Sequence, residues 1–213
     1  LQSDFIPREF EFEISEKSVA KPIHLKSTKG IDISFYGTVD RVDTCTIEGK
    51  TYLRVIDYKS GEKKFKLEDI YYGINMQMLL YLFSLTGGEG KYSQTLPAGV
   101  LYMPSKDISK FNGRNSEDTD IIKIKNETYK MNGMVIENDN VIKAMEKEIA
   151  GIYIPVTYVK NGELSKNAST ITEKQLERLR KYTQNLLIEM TDKLYSGNIA
   201  AIPLCDGKKV PCD

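Results

Sequence analysis

Two strand-like segments joined by a short turn constrain the fold of this chain more than any other feature. Residues 31–47 predict one long strand and 51–58 a second, and Glu-Gly-Lys at 48–50 between them is a turn signal. Together these segments predict a β-hairpin or meander. Because side chains alternate across a strand, this pairing also predicts which residues of the two strands face each other.

Hydrophobic periodicity predicts the remaining elements. Before the hairpin, the pattern predicts a strand over 5–14 that buries Phe10, Phe12 and Ile14, followed by a loop with Pro22 and Gly30. After the hairpin, it predicts a helix over 67–86 ended by Gly87-Gly88, a buried strand over 97–103 and a polar loop over 105–119. The last part of the chain predicts a helix over 138–150 capped by Asn138 or Asp139, a hairpin over 152–164 turning at Asn161-Gly162, and a long helix over 172–196 capped at Thr170 or Thr172. This order predicts an α/β or α+β fold with a mixed central sheet flanked by helices.

The hairpin brings chemically useful side chains to one end of one face. Leu53, Val55, Asp57 and Lys59 share a face of the second strand, which begins apolar and ends with a carboxylate beside an ammonium. If the two strands pair about the turn near Gly49, Asp40 of the first strand lies at the height of Asp57.

Two carboxylates and one lysine at such a place suit phosphodiester hydrolysis. Asp40 and Asp57 are ligands for a hard cation, Mg²⁺ or Mn²⁺, and the main-chain carbonyl of Tyr58 can add a third oxygen. Lys59 can orient a water or stabilise charge on the phosphate. The alternative is structural, with Asp57 and Lys59 as a surface ion pair and Asp40 as a strand-edge carboxylate.

At this point the motifs resemble those of a known family. Gly-Thr-Val-Asp-Arg-Val-Asp at 37–43, Val-Ile-Asp-Tyr-Lys-Ser-Gly at 55–61 and Gln-Met-Leu-Leu-Tyr at 77–81 resemble the RecB-like PD-(D/E)XK nucleases, most closely the C-terminal nuclease domain of the B subunits of AddAB-type ATP-dependent helicase–nucleases. The resemblance implies a restriction-endonuclease-like core truncated at both ends, with 1–213 as a single nuclease domain. It further implies cleavage of single-stranded DNA during helicase-coupled double-strand break processing and recombinational repair, with the A subunit as partner.

The resemblance also assigns residues. It implies Asp40 and Asp57 as the metal-binding acids, Lys59 as the catalytic lysine, and Gln77 with Tyr81 as a pair that shapes the site and holds the strand. Gln77 and Tyr81 are four residues apart and so share a helical face, although a pair bordering the core would look the same. Gly73, one turn earlier, is expected to let this helix approach the sheet, or to be a tolerated helical glycine.

A basic loop after the second strand is the candidate DNA-binding patch. Its members are Lys59, Lys63, Lys64 and Lys66, with Arg41 nearby, and Tyr71 and Tyr72 are candidates for stacking on bases. The alternatives are a solvated charged loop and two packing tyrosines.

Two parts of the family pattern are incomplete here. The family carries an acidic or histidine ligand on a helix upstream of the first motif, whereas residues 1–36 predict strand; Glu9, Glu11 or Glu13 are substitutes to consider, and His24 is expected in a loop. B-subunit relatives also bind an iron–sulfur cluster through four cysteines. Cys212 resembles one of those ligands, so a cluster is expected in the full-length parent and not in this fragment. Cys205 matches no family position, and Cys45 is expected in a strand.

Bulk composition limits the remaining possibilities. The 213 residues carry 30 basic and 30 acidic side chains, so any grip on DNA must come from a local patch or from partner domains. Three cysteines, an odd number, favour a reducing cytoplasm, and no apolar run is long enough to span a membrane. The first residue is Leu1 rather than Met, which is expected of an excised fragment, although a trimmed tag would leave the same start. The rival hypotheses are a non-catalytic nuclease-like scaffold that binds DNA, which the intact acids disfavour, and a stand-alone nuclease of the related CRISPR-associated type.

Overall fold

A mixed six-stranded sheet forms the centre of the computed structural model, which describes residues 3–61, 63–105, 126–148 and 151–200. The described elements are β1 (Ile6–Ile14), β2 (His24–Lys26), β3 (Asp32–Ser34), β4 (Gly37–Ile47), β5 (Lys50–Lys59), α1 (Leu67–Tyr71), α2 (Gln77–Gly87), β6 (Leu96–Pro104), β7 (Asn132–Ile136), α3 (Asp139–Met145), β8 (Thr170–Ile171) and α4 (Glu173–Tyr195). The sheet order is β1-β4-β5-β6-β7-β8, and β2 pairs with β3 separately. The predicted α/β class is confirmed.

The β4–β5 hairpin confirms the central prediction. Glu48 and Gly49 form a two-residue turn with φ of 50° and 77°, between the paired residues Ile47 and Lys50. Positive φ at both positions is the requirement of a type I′ hairpin turn, and such a turn fixes the register of the strands it joins. The long strand predicted from residue 31 is wrong in one respect, because β3 ends at Ser34 and β4 begins only at Gly37.

The helices cover the sheet as amphipathic or wholly apolar elements. β5 and β6 run parallel, so the chain crosses back between them through α1 and α2. Every residue from Met78 to Thr86 of α2 is buried, which is typical of a helix that packs on all sides. The predicted caps are confirmed at Asn138 for α3 and at Thr172 for α4, where Thr172 forms a capping box with Gln175.

The single helix predicted over 67–86 is wrong, since two helices occupy the segment. α1 ends at Tyr71, and left-handed backbone at Gly73 (φ 78°) and Asn75 (φ 58°) separates it from α2. Gly73 therefore terminates a helix rather than bringing one towards the sheet, and its amide N–H donates to the carbonyl of Ile70 at 3.0 Å.

β1 departs from the predicted alternation. Phe12 and Ile14 are buried as expected, but Phe10 is 61% exposed. Glu11 has φ of 48°, which breaks the regular alternation of extended backbone and turns Phe10 away from the core.

Two smaller predictions are confirmed only in part. The helix predicted over 138–150 is confirmed only from Asp139 to Met145, and the hairpin over 152–164 is reduced to one bridge between Tyr158 and Leu164. Most of the predicted loop at 105–119 lies outside the described residues. Among the helices that the structure describes, none has the length and apolar character to cross a bilayer.

Candidate active site

The hairpin register places Asp40 opposite Asp57 at the open end of β4 and β5. Arg41 pairs with Ile56, so the next pair outward is Asp40 with Asp57, whose side chains share one face of the sheet. The backbone N–H of Tyr58 donates to Oδ2 of Asp40 at 2.8 Å. This bond holds the Asp40 carboxylate against β5, beside Asp57.

Asp57 is a buried carboxylate with one close cation. Its residue is only 6% exposed, and Nζ of Lys59 lies 2.6 Å from its Oδ2. Within the described part of the chain, no well-oriented hydrogen bond reaches that buried oxygen. Burial raises the pKa of Asp57 above its ordinary value, the Lys59 ammonium opposes the increase, and the charge of Asp40 adds to it.

The donor set fits one hard divalent cation. Asp40 and Asp57 supply two carboxylates on one face, and the under-bonded Oδ2 of Asp57 is an oxygen that would gain a ligand partner. Mg²⁺ needs only one or two protein carboxylates because it keeps several waters. Among the described residues, no cluster of three or more Asp, Glu, His or Cys side chains forms a fuller cage.

The predicted helix pair lies together at the start of α2. Nε2 of Gln77 donates to the hydroxyl of Tyr81 at 2.7 Å, and Tyr81 is only 4% exposed. The Tyr81 ring lies against Gly37, where an added Cβ would be 2.6 Å from its Cε1. Gly37 thus allows α2 to approach the strand that carries Asp40.

The basic loop is partly organised by the break between α1 and α2. Nζ of Lys63 donates to Oδ1 of Asn75 at 2.5 Å, and Nδ2 of Asn75 donates to Asp69 at 2.8 Å. Lys63 is near enough to Asp57 to lower its pKa. Lys64 is exposed in the same loop, and Lys66 directly precedes α1.

Arg41 does not join the loop lysines, since it lies on the opposite face of the sheet from Asp40. Its Nε and Nη2 donate to the Asp43 carboxylate at 2.6 and 2.9 Å, and Arg54 donates to the same carboxylate at 3.0 and 2.8 Å. Asp43 is fully buried and Arg54 is 4% exposed. This buried ion network was not predicted, although the second aspartate of the Asp-Arg-Val-Asp motif was a signal for it.

Several other candidates have local partners away from the two acids. Glu9 accepts hydrogen bonds from Lys91 and Tyr92, and His24 contacts Glu16 and Ser34. The exposed ring of Tyr71 packs against the rings of Tyr72 and Tyr182. Cys45 is buried in β4, whereas Cys205 and Cys212 lie outside the described residues.

The sheet is mixed, and the open end of its β4–β5 hairpin carries Asp40, Asp57 and Lys59. This arrangement is typical of a metal-dependent nuclease. The family model of the PD-(D/E)XK nuclease superfamily matches residues 2–212, so the chain belongs to that superfamily. Members of this superfamily depend on divalent metal ions.

Individual relatives give a narrower resemblance. Each bears the name of the B subunit of an ATP-dependent helicase/deoxyribonuclease: one from Clostridium kluyveri is 37% identical over 213 residues, one from Acetivibrio thermocellus 37% over 207, and one from Clostridium acetobutylicum 33% over 216. The alignments cover 98%, 95% and 100% of this chain, but only 18%, 18% and 19% of the relatives. The resemblance to nuclease domains of helicase–nuclease B subunits is confirmed, and the chain spans about a fifth of the length of these relatives.

Proposed function

We propose that residues 1–213 act as the single nuclease domain of a larger helicase–nuclease subunit and hydrolyse phosphodiester bonds of single-stranded DNA. The observation that supports this most directly is the meeting of Asp40, Asp57 and Lys59 at one strand end. The partner is the A subunit of the same complex, and the process is double-strand break repair by recombination in the cytoplasm. In the full-length subunit, Cys212 contributes one ligand to an iron–sulfur cluster.

The acids and the lysine divide the chemistry between them. Asp40, Asp57 and the main-chain carbonyl of Tyr58 hold Mg²⁺ or Mn²⁺, which when bound polarises the phosphodiester and lowers the pKa of a coordinated water. Lys59, whose ammonium already contacts Asp57, orients the attacking water and stabilises negative charge on the phosphate. Gln77 and Tyr81 keep α2 against β4 and so fix the position of Asp40.

A DNA-binding scaffold without catalysis is the weaker candidate. A buried carboxylate with a raised pKa is costly to maintain, and Asn at position 57 would remove that cost in a protein that only binds DNA. Retention of both acids and the lysine is therefore better explained by catalysis.

The test is cleavage of labelled single-stranded DNA over a magnesium titration. We expect the parent chain to cut, and Asp40→Asn, Asp57→Asn and Lys59→Gln each to lose more than roughly 100-fold in rate, since even outer partners of metal ligands cost 10- to 100-fold. The matched control is Asp32→Asn, which removes an 80% exposed carboxylate on β3 and should leave the rate unchanged. Magnesium should also raise the Tm of the parent and not that of Asp57→Asn.

The outcomes separate the possibilities. Equal cleavage by the parent and Asp57→Asn would overturn the catalytic assignment. Tight DNA binding with no metal-dependent cleavage, in this chain and in the whole subunit alike, would favour the scaffold.

A further inference from the structure

A cavity of about 430 Å³ opens beside the proposed catalytic lysine, and no residue of α2 lines it. Lys59 and Lys63 line it from the loop after β5, and Lys130 lines it from the segment before β7. The size falls within the roughly 300–1,000 Å³ range of small-molecule sites. Nothing in the proposed cleavage chemistry requires this space.

The cavity carries an excess of positive charge. Its three lysines are accompanied by a single acidic lining residue, Glu127. Lys63 is held by its bond to Asn75, whereas Lys130 is exposed and forms no ion pair with any carboxylate that the structure describes. Two well-separated parts of the sequence therefore bring cations to one concave surface, and Lys130 remains available for an anion.

The floor and one wall are apolar and firmly attached. Tyr102 and Met131 are each 6% exposed, and the Tyr102 ring centroid lies 5.9 Å from Nζ of Lys59. The loop that carries Lys63 is tied to β7, because the N–H of Phe65 donates to Oδ1 of Asn132 at 2.8 Å. The cavity thus offers an aromatic and aliphatic surface next to Lys59 and Lys63, which other side chains hold in place, and next to the exposed Lys130.

We propose that this cavity binds the nucleotide that adjoins the scissile phosphate, with its base or sugar on Tyr102 and Met131 and its own phosphate on Lys63 and Lys130. The proposal rests on the proposed function and extends it to substrate binding. An apolar lining beside cations fits a nucleotide, because bases pack on aromatic and aliphatic side chains while phosphates bind ammonium groups. A nucleotide that enters a cavity must leave its base stack, which favours single-stranded over duplex DNA.

The experiment measures binding without cleavage. Fluorescence anisotropy of a short fluorescein-labelled oligothymidylate is recorded in EDTA over a salt series, for the parent and for Lys130→Ala, Lys130→Arg and Lys130→Glu. We expect Lys130→Ala to weaken binding about fivefold, and to lower the slope of log K against log salt by about 0.7, the value for one lost contact with a single-strand phosphate. Lys130→Arg should keep parent-like binding, and Lys130→Glu should bind more weakly than Lys130→Ala.

Two further variants locate the effect. Asn75→Gly keeps the left-handed backbone that Gly adopts readily but removes the amide that holds Lys63, so binding should weaken as in Lys130→Ala. The matched control is Lys181→Ala on the exposed side of α4, which removes the same charge outside the cavity and should change neither affinity nor salt slope.

The result also distinguishes this proposal from the proposed function. If the parent cleaves DNA but Lys130→Ala binds with unchanged affinity and slope, the cavity proposal is wrong and the nuclease assignment stands. Equal loss in Lys130→Ala and Lys181→Ala would likewise overturn it, because the effect would then be one of overall charge. Absence of metal-dependent cleavage in the parent would instead count against the proposed function, whatever the binding data.

Discussion

Asp57 is a carboxylate buried in the sheet beside the ammonium of Lys59. The apolar residues that precede it in β5, such as Leu53 and Val55, are fully buried, and Asp57 follows them on the same face. Burial raises the pKa of Asp57, and Lys59 compensates for only part of that penalty. In the absence of a metal ion, the ionised carboxylate therefore destabilises the folded state relative to a neutral side chain of the same shape.

This leads to a prediction for stability. Asp57→Asn should unfold at the same or a higher Tm than the parent at neutral pH without metal, although it loses activity. The folded-state pKa of Asp57 is raised, so its protonation favours the folded state, and the stability deficit of the parent relative to Asp57→Asn should shrink as the pH falls through that pKa. Thermal unfolding of both proteins in EDTA across the acidic range is the measurement.

The comparison between the two proteins removes the contribution of acids that lie far from Asp57. Lys59 loses its partner in Asp57→Asn, but its side chain is 36% exposed and water can solvate it. A variant that is clearly less stable than the parent at every pH would show that the ion pair outweighs the burial penalty.

At the residue scale, sequence could place the two acids but not their surroundings. Alternation along two strands and a short turn sufficed to bring Asp40 to Asp57. The same alternation puts Arg41 on the opposite face, where Asp43 binds it, so proximity to Asp40 in sequence did not make it a neighbour of Lys59. Lys130 was not predicted because β7 reaches the site only through sheet pairing with β6, and no local pattern encodes that contact.

At the element scale, local backbone conformation decided where predictions held. The hairpin was predictable because its Glu-Gly turn is a local signal, and α4 because its apolar stripe and its cap agree. The break between α1 and α2 was not, since the apolar spacing continues across Gly73 and Asn75 while the backbone turns left-handed. Two-residue β8 and three-residue β2 and β3 are too short for a periodicity to show.

Gly37 gives a prediction for the contact between α2 and β4. Gly37→Ala should destabilise the fold by about 1–3 kcal/mol, the usual cost of overpacking, because the new Cβ would lie 2.6 Å from Cε1 and 2.8 Å from the hydroxyl of buried Tyr81. The Tyr81 ring also contacts Phe35, at 5.6 Å between centroids, so it has little room to move. Urea denaturation measures the change in the free energy of unfolding.

A double-mutant cycle tests the cause. In a Tyr81→Leu background, Gly37→Ala should cost much less, which gives a coupling energy between the two positions. Gly61→Ala is the stability control, since no atom of the described residues lies within 4 Å of its added Cβ, and it should stay within about 0.5 kcal/mol of the parent. An equal cost of Gly37→Ala in both backgrounds would place the strain elsewhere.

At the scale of the whole molecule, charge balance determines how the chain can hold DNA. With 30 basic and 30 acidic residues, the chain has no general attraction for a polyanion, unlike proteins that coat nucleic acid. The proposed binding of DNA then rests on the few lysines that line the cavity beside the proposed active site, namely Lys59, Lys63 and Lys130. The relatives are about five times longer than this chain, so in such a protein other parts can supply further contacts with DNA.

The salt dependence of binding follows from this local patch. Three phosphate contacts on a single strand predict a slope of log K against log salt of about −2, so an increase of about fourfold in salt should weaken binding roughly 20-fold. Titration of a labelled oligothymidylate in EDTA, which removes competition from magnesium, is the measurement. A slope steeper than about −4 would require several phosphate contacts beyond these lysines, and the neutral overall charge would then conceal a second basic surface. A slope near zero would mean that stacking and hydrogen bonds, not phosphate contacts, hold the strand.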